Sequence, residues 1–211
     1  MMYYIQGALN IIGKTWGLIC NYQIWFMIKY VKKLLYSSWI SGEFKSFGKK
    51  SFIYSINSLV GSKYISIGNE CSIGGGAVLT AWGLHGSDIF TPQIKIGNNV
   101  SIGDDCHITA INRIEIGNNV LTGKKITITD NSHGKINLES LCLSPAKRQL
   151  FSAGPVIIED GVWIGDKVSI LSNVRIGKNA IIGANAVVTK DIPANCVAGG
   201  IPARVIKLIN K

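Results

Sequence analysis

The sequence predicts a mainly β chain: a left-handed parallel β-helix of about five coils, with an N-terminal amphipathic helical segment and a short C-terminal cap. Three observations predict it. Runs of the form aliphatic-Gly-x-x-small-x recur at six-residue spacing through most of the chain. The composition joins 47% hydrophobic residues and 24 glycines to only 16% charged residues and five prolines. That mixture suits short apolar strands between tight corners and excludes a disordered low-complexity chain. Charge and aromatic side chains also collect at one end, where residues 1–50 hold seven lysines against one acid, Glu43.

The clearest hexads start at Ile67, Ile73, Ile96, Ile102, Ile116, Ile164, Ile176 and Ile182; weaker ones start at Ile108, Thr122, Ile128, Ile158, Ile170 and Val188. Each supplies one short strand and one corner of a three-sided prism. The aliphatic side chain points inward and stacks on its equivalents one coil away. The glycine relieves crowding or permits positive φ. The residue four after the aliphatic faces inward near a corner and must be compact, as Cys71, Ala77, Val100, Cys106, Val120, Ala180 and Ala186 are. Three hexads make a coil, giving 96/102/108, 116/122/128, 158/164/170 and 176/182/188, with an incomplete first coil at 67/73. The β-helix is therefore expected over 51–200, preceded by a helical segment (1–50) and followed by a cap (201–211). Residues 80–93 and 134–155 break the period and are expected to be loops, which at such length usually carry function.

In the N-terminal segment, Ile24, Met27, Ile28, Val31, Leu34, Leu35 and Trp39 follow helical spacing while Lys29, Lys32 and Lys33 share another face. Three readings stay open: a helix lying in a membrane interface, a helix docked on the prism or a partner subunit, and a spanning helix. Lys14, Asn21 and Gln23 interrupt the apolar run that spanning would need. No signal peptide is evident. The expected location is cytoplasmic, with peripheral contact at the inner membrane surface. A chain shortened to begin near Ser46 is expected to keep its fold. Nucleic-acid binding is not expected, because the excess charge lies on this segment rather than along a groove. The five cysteines (Cys20, Cys71, Cys106, Cys142 and Cys196) are odd in number and lack CxxC spacing, so neither a disulfide framework nor a zinc site is indicated.

The stretches ITDNSHG (ending at Gly134), VWIGDKVSIL (162–171), IGANAVVTKDIPAN (182–195) and AGGIPARVIK (198–207) resemble the hexapeptide-repeat O-acetyltransferases. That family includes galactoside and maltose acetyltransferases and the sugar acetyltransferases of bacterial surface polysaccharides. The resemblance covers residues 65–211. It implies acetyl-CoA as cosubstrate with no metal, a sugar or glycan acceptor, a homotrimer, and His133 as catalytic base. The chemistry fits, since a sugar hydroxyl is too weakly acidic to attack a thioester unaided and a positioned imidazole can take its proton. Asp130 and Asn131 either orient that imidazole or shape the turn. His85, in the first loop, and His107, facing outward at a hexad end, are further candidates for substrate contact.

By the same resemblance Trp163 and Gly165 line the pantetheine arm of CoA, and Ala184 touches it through the backbone. Thr189 and Lys190 lie near the nucleotide end, and Arg204 and Lys207 meet its phosphates. Asp166 departs from the pattern, standing where soluble sugar acetyltransferases carry serine. Gly103 and Ile111 replace their acceptor-binding Asn and Asp, which argues against simple galactosides or maltose. Asn112 is polar at an inward-type corner and either bonds acceptor or ladders along the prism. The rival readings are an antibiotic or serine acetyltransferase of the same fold and a non-catalytic binding scaffold. A carbonic anhydrase of the γ class shares the fold but needs three zinc-binding histidines, two of them close in sequence.

Overall fold

The computed structural model describes residues 2–19 and 21–209. Helix α1 (Met2–Ile19) and helix α2 (Tyr22–Ser41) precede a left-handed parallel β-helix whose three sheets form the sides of a prism. The first face runs from Ser46–Phe47 to Val174–Ile176. The second runs from Phe52–Ile53 to Cys196–Gly200 and closes with the antiparallel strand Ala203–Leu208. The third runs from Ile56–Val60 to Val187–Val188. Ile96, Ile102 and Ile108 face inward from the three sides of one coil and stack on Ile116, Thr122 and Ile128 of the next; none of the five isoleucines is more than 2% exposed. Burying each such side chain contributes roughly 1.5–3 kcal/mol. Cys71 and Cys106 fill compact inward positions, and burial pushes the Cys106 thiol pKa up to about 12. Cys142 is exposed, Cys196 is buried, and Cys20 lies outside the described residues.

The two corner requirements fall on different residues. The hexad glycine answers crowding: a Cβ on Gly97 would come within 2.6 Å of the Gly117 carbonyl oxygen one coil on. Positive φ falls instead two residues later, on Asn99 (53°), Asn119 (56°), Asn179 (57°) and Asn185 (60°). Asparagine tolerates this left-handed conformation better than most side chains. The third hexad position builds a ladder along the prism, in which Asn98 Oδ1 accepts from Asn69 N–H and Asn118 Oδ1 from Asn98 N–H, both at 2.9 Å. Asp166 belongs to the same kind of ladder on the next edge, where its carboxylate accepts from Lys124 N–H at 2.7 Å.

The prism extends one coil further toward the N-terminus than the hexads reveal. Phe47, Ile53 and Leu59 complete a coil in register with Ile67, Ile73 and Leu79. The 201–211 cap is the strand Ala203–Leu208, which pairs with Cys196–Gly200; residues 210 and 211 lie outside the described residues.

The second helix follows one of the three readings left open, docking on the prism. Its C-terminal half lies across the open edge of the first coil. The Ser37 hydroxyl accepts from Ile53 N–H at 2.8 Å, and the Tyr36 hydroxyl accepts from Ile56 N–H at 3.0 Å. These N–H groups have no preceding coil to bond. Lys33 is not on a free lysine face but 6% exposed, with its ammonium 3.6 Å from the Phe52 ring centroid and 4.8 Å from that of Tyr54. Ring faces attract a cation electrostatically, so the aromatics of the first coil hold the lysine that was expected at a lipid surface. Ile40 and Phe44 complete the seal. A chain beginning at Ser46 is therefore expected to lose stability rather than keep its fold: two edge N–H groups lose partners and the end of the core is uncovered. The melting temperature should fall by about 5 °C or more, since one or two kcal/mol shifts a domain of this size by roughly 2–8 °C. An unchanged melting curve would contradict the sealing role.

Candidate active site

Both insertions leave the prism at one edge, the one joining the third face to the first. The chain departs after Ala81 and returns at Gln93, and departs again after Thr129 to return at Val156. The coil between them turns the same edge with the short corner Ile111–Asn112. The bases of the two loops therefore flank one corner.

Inside the first loop a small hairpin pairs Leu84–His85 with Asp88–Ile89. At the base of the second, Ser132–His133 pairs antiparallel with Leu150–Phe151, with His133 opposite Leu150. This pairing ties the two ends of the long loop together and sets the histidine at its lip. His85 and His133 meet edge to face with ring centroids 6.0 Å apart, and Trp82 stands edge to face on His85 at 5.9 Å. His107 points outward from the third face between Val78 and Thr127. All three histidines line one cavity of about 330 Å³, whose floor carries Thr80 and Thr109 and whose wall includes Asn131. Among the described residues, no group of three histidine, cysteine or acidic side chains stands at metal-ligand geometry.

Asp130, next in sequence to Asn131 of the cavity wall, is completely buried. Its two carboxylate oxygens accept from Ile111 N–H and Asn112 N–H, each at 2.9 Å, and the Asn131 side-chain amide donates to it at 3.1 Å. Of the two roles left open for Asp130 and Asn131, the bonds formed are those of a turn. The corner N–H groups of the preceding coil cannot join the parallel ladder, so the carboxylate takes them. Desolvation raises the Asp130 pKa above the ordinary carboxylate value, against the lowering pull of those same N–H groups. Asn131 further donates to Thr109 O at 3.3 Å. Asn112 is exposed, not inward, because its corner is wider than a hexad corner; its amide reaches Ser152 at 3.4 Å, away from the histidine cavity.

Trp82 and the threonine pair were not singled out in the sequence. The signal was present: a threonine follows the inward aliphatic in Leu79–Thr80, Ile108–Thr109 and Ile128–Thr129, and these pair in register on the third face. A larger groove of about 610 Å³ follows the first face past Lys95, Glu115 and Arg175. It is a shallow run of strand exteriors and paired charges, such as Arg175 with Glu159, and no histidine borders it.

The residues assigned to the donor lie elsewhere on the prism. On the second face Trp163, Ile181, Val197 and Lys207 stand opposite one another on four successive strands, with Arg204 opposite Gly199. Three strand spacings, about 14 Å, separate Trp163 from Lys207. Trp163 is half exposed. Gly165 packs under Ala184 at the edge between second and third faces, where a Cβ would meet Ala184 N at 2.6 Å. Thr189 and Lys190 are exposed beyond the last third-face strand. The Arg204 guanidinium donates to the Ala203 carbonyl at 2.8 Å.

Comparison with known proteins agrees with this architecture. Residues 155–190 match the family described as bacterial transferase hexapeptide (six repeats), and residues 57–81 match the hexapeptide repeat of succinyl-transferase. A putative lipopolysaccharide biosynthesis O-acetyl transferase of Escherichia coli K12 is 35% identical over 150 residues, covering 69% of this chain and 72% of that protein. The galactoside O-acetyltransferase of the same organism is 38% identical over 132 residues, 60% of this chain and 57% of that one. Among solved structures, a hexapeptide-repeat acetyltransferase of Vibrio cholerae complexed with acetyl coenzyme A superposes with a TM-score of 0.57 at 23% identity. The match covers 91% of this chain and 92% of that one. The coiled prism, its repeats and the extent of the first match together show that the chain belongs to the hexapeptide-repeat family of bacterial acyltransferases.

Proposed function

We propose that the protein transfers an acetyl group from acetyl-CoA to a sugar hydroxyl of a surface polysaccharide or its glycan precursor, with His133 as general base. The observation that carries this reading is the convergence of His133, His85 and His107 with a threonine-lined floor in one cavity beside two long loops. Such a cavity offers a base together with hydroxyl, amide and aromatic groups, the set that suits a polar ring bearing C–H faces. Imidazole takes the hydroxyl proton as the sugar oxygen attacks the thioester carbonyl. The tetrahedral intermediate, its oxyanion held by backbone N–H groups, then collapses and expels the CoA thiolate, which recovers the proton from the imidazolium. No covalent acyl-enzyme is needed. Support for a glycan acceptor also comes from the names of the two E. coli relatives, and support for the donor from the acetyl coenzyme A bound to the V. cholerae protein.

The donor residues support a homotrimer within this reading. Trp163, Arg204 and Lys207 lie on the second face, whereas His133 stands at the edge between third and first faces. Groups of one reaction on different sides of a prism can meet if a neighbouring copy supplies the other wall of the groove. Lys190 and Arg204 are then the cations for the nucleotide phosphates.

One assay tests the reading. Purified protein with acetyl-CoA is offered free sugars, nucleotide sugars and lipid-linked glycans, and CoA thiol and ester product are measured. Ester formation on a glycan hydroxyl is expected. Transfer confined to amines, to serine or to an antibiotic would replace the proposal with one of its rivals. In the same assay Arg204→Ala and Lys190→Ala should raise KM about tenfold or more for acetyl-CoA but little for its desphospho analogue. Equal losses for both donors would remove these residues from phosphate recognition.

A further inference from the structure

The orientation of α2 is inverted relative to an ordinary surface helix. The face that it packs on the prism carries Lys33 and Ser37, with Ile40 at its end. The opposite face carries Ile24, Met27, Ile28, Val31 and Leu35, each between 43% and 66% exposed. Because Ser37 and Tyr36 lie against the open edge of the first coil, that apolar face points away from the end of the prism. Every residue of α1 from Met2 to Leu18 is exposed as well, including Ile5, Leu9, Ile12 and Trp16. On α1 the polar Gln6, Asn10 and Lys14 recur every fourth residue and form one narrow stripe, leaving a wide apolar arc. So large an apolar surface is not left to water by a stable protein.

We infer that α1 and the outer face of α2 seat the protein on an anionic bilayer, lying in the headgroup region with the N-terminal end of the prism toward the lipid. Charge selects this occupant. Neither helix contains an acidic residue; Lys32 borders the apolar face of α2, and Lys14 and Lys29 add positive charge on the same two helices. A symmetric contact between copies of these helices would gather lysines with no acid to pair them, whereas anionic headgroups neutralise them. Trp16, Trp25, Trp39, Tyr3, Tyr4 and Tyr22 add the residue types that favour the lipid–water boundary. Among the described residues, no helix is long and apolar enough to cross a membrane, so the helices lie along the surface. The attraction comes without Lys33, which the first coil holds.

The test uses the full chain and vesicles of phosphatidylcholine with or without one-third phosphatidylglycerol. The protein is expected to sediment with the anionic vesicles and at least tenfold less with neutral ones. Met27→Glu/Val31→Glu/Leu35→Glu, placed wholly on the exposed face, should reduce sedimentation at least tenfold while oligomeric mass by light scattering stays unchanged. Brominated lipid should quench tryptophan fluorescence of the unmodified protein, a readout that needs no variant. Protein that stays in solution with anionic vesicles overturns the inference. So does a variant that still binds them. Dissociation of the oligomer in that variant would assign the face to contact between copies instead.

Discussion

Replacing His133 with alanine is expected to lower turnover by about two to four orders of magnitude, the range for a lost general base. Acetyl-CoA binding should survive, because the residues proposed for the donor, Trp163, Arg204 and Lys207, stand on a different face of the prism. The expected signature is therefore a fall in kcat with little change in the affinity for CoA, measured by calorimetry on the variant. His133→Gln offers a second check, since it keeps a polar side chain of similar reach on the same strand opposite Leu150 but cannot take up the proton. Near-normal turnover in either variant would remove His133 from the chemistry. His85→Ala should then be compared. Its ring lies against that of His133, so a smaller fall in kcat with a rise in acceptor KM is the outcome of a residue that contacts substrate without moving the proton.

The second large effect is on stability. Asp130→Ala leaves the Ile111 and Asn112 N–H groups without their buried acceptor. Each orphaned donor costs about 1–3 kcal/mol, so a loss of about 2–6 kcal/mol is expected in denaturant unfolding. Turnover should fall too, because the same corner supports the cavity wall through Asn131. The pH dependence carries a sign. Burial raises the folded-state pKa of Asp130, so the folded chain holds this proton more tightly than the unfolded one. That contribution is complete below the ordinary carboxylate value and is lost as pH rises through the raised one. The stability gap between the wild type and Asp130→Ala should therefore widen as the solution is acidified across that interval. A gap independent of pH would show that Asp130 is not held above its ordinary value.

These two residues also mark what the sequence makes legible and what it does not. The hexads are legible because their period dictates which side chains point inward: Ile96, Ile102 and Ile108 could serve no other purpose at that spacing. The first coil is hidden by its own substitutions, with Phe47 in an aliphatic position and Tyr54 where a glycine would follow Ile53. Its register with Ile67 and Ile73 becomes plain only once the strands pair. His133 is marked by its motif and by its place at the start of a loop. Its meeting with His85 depends on both insertions leaving one edge of the prism, a fact of topology rather than of local pattern. Asp130 reads as a possible partner of the imidazole, yet its oxygens answer a corner eighteen residues earlier. Lys33 shares a helical face with Lys29 on paper, but the aromatic rings that hold it come from a coil that the period does not announce.

The ends of the prism have a consequence for the state in which the protein can exist. A parallel coil exposes, at each end, the row of N–H and C=O groups that another coil would fill, at the spacing that a fibril uses. Here the first edge is occupied by the hydroxyls of Ser37 and Tyr36, and the last edge of the second face by the returning strand Ala203–Leu208. One is a helix and the other runs antiparallel, so neither continues the pattern for a second molecule. Ser37, Tyr36 and the C-terminal strand thus cover edges that would otherwise template a further parallel coil.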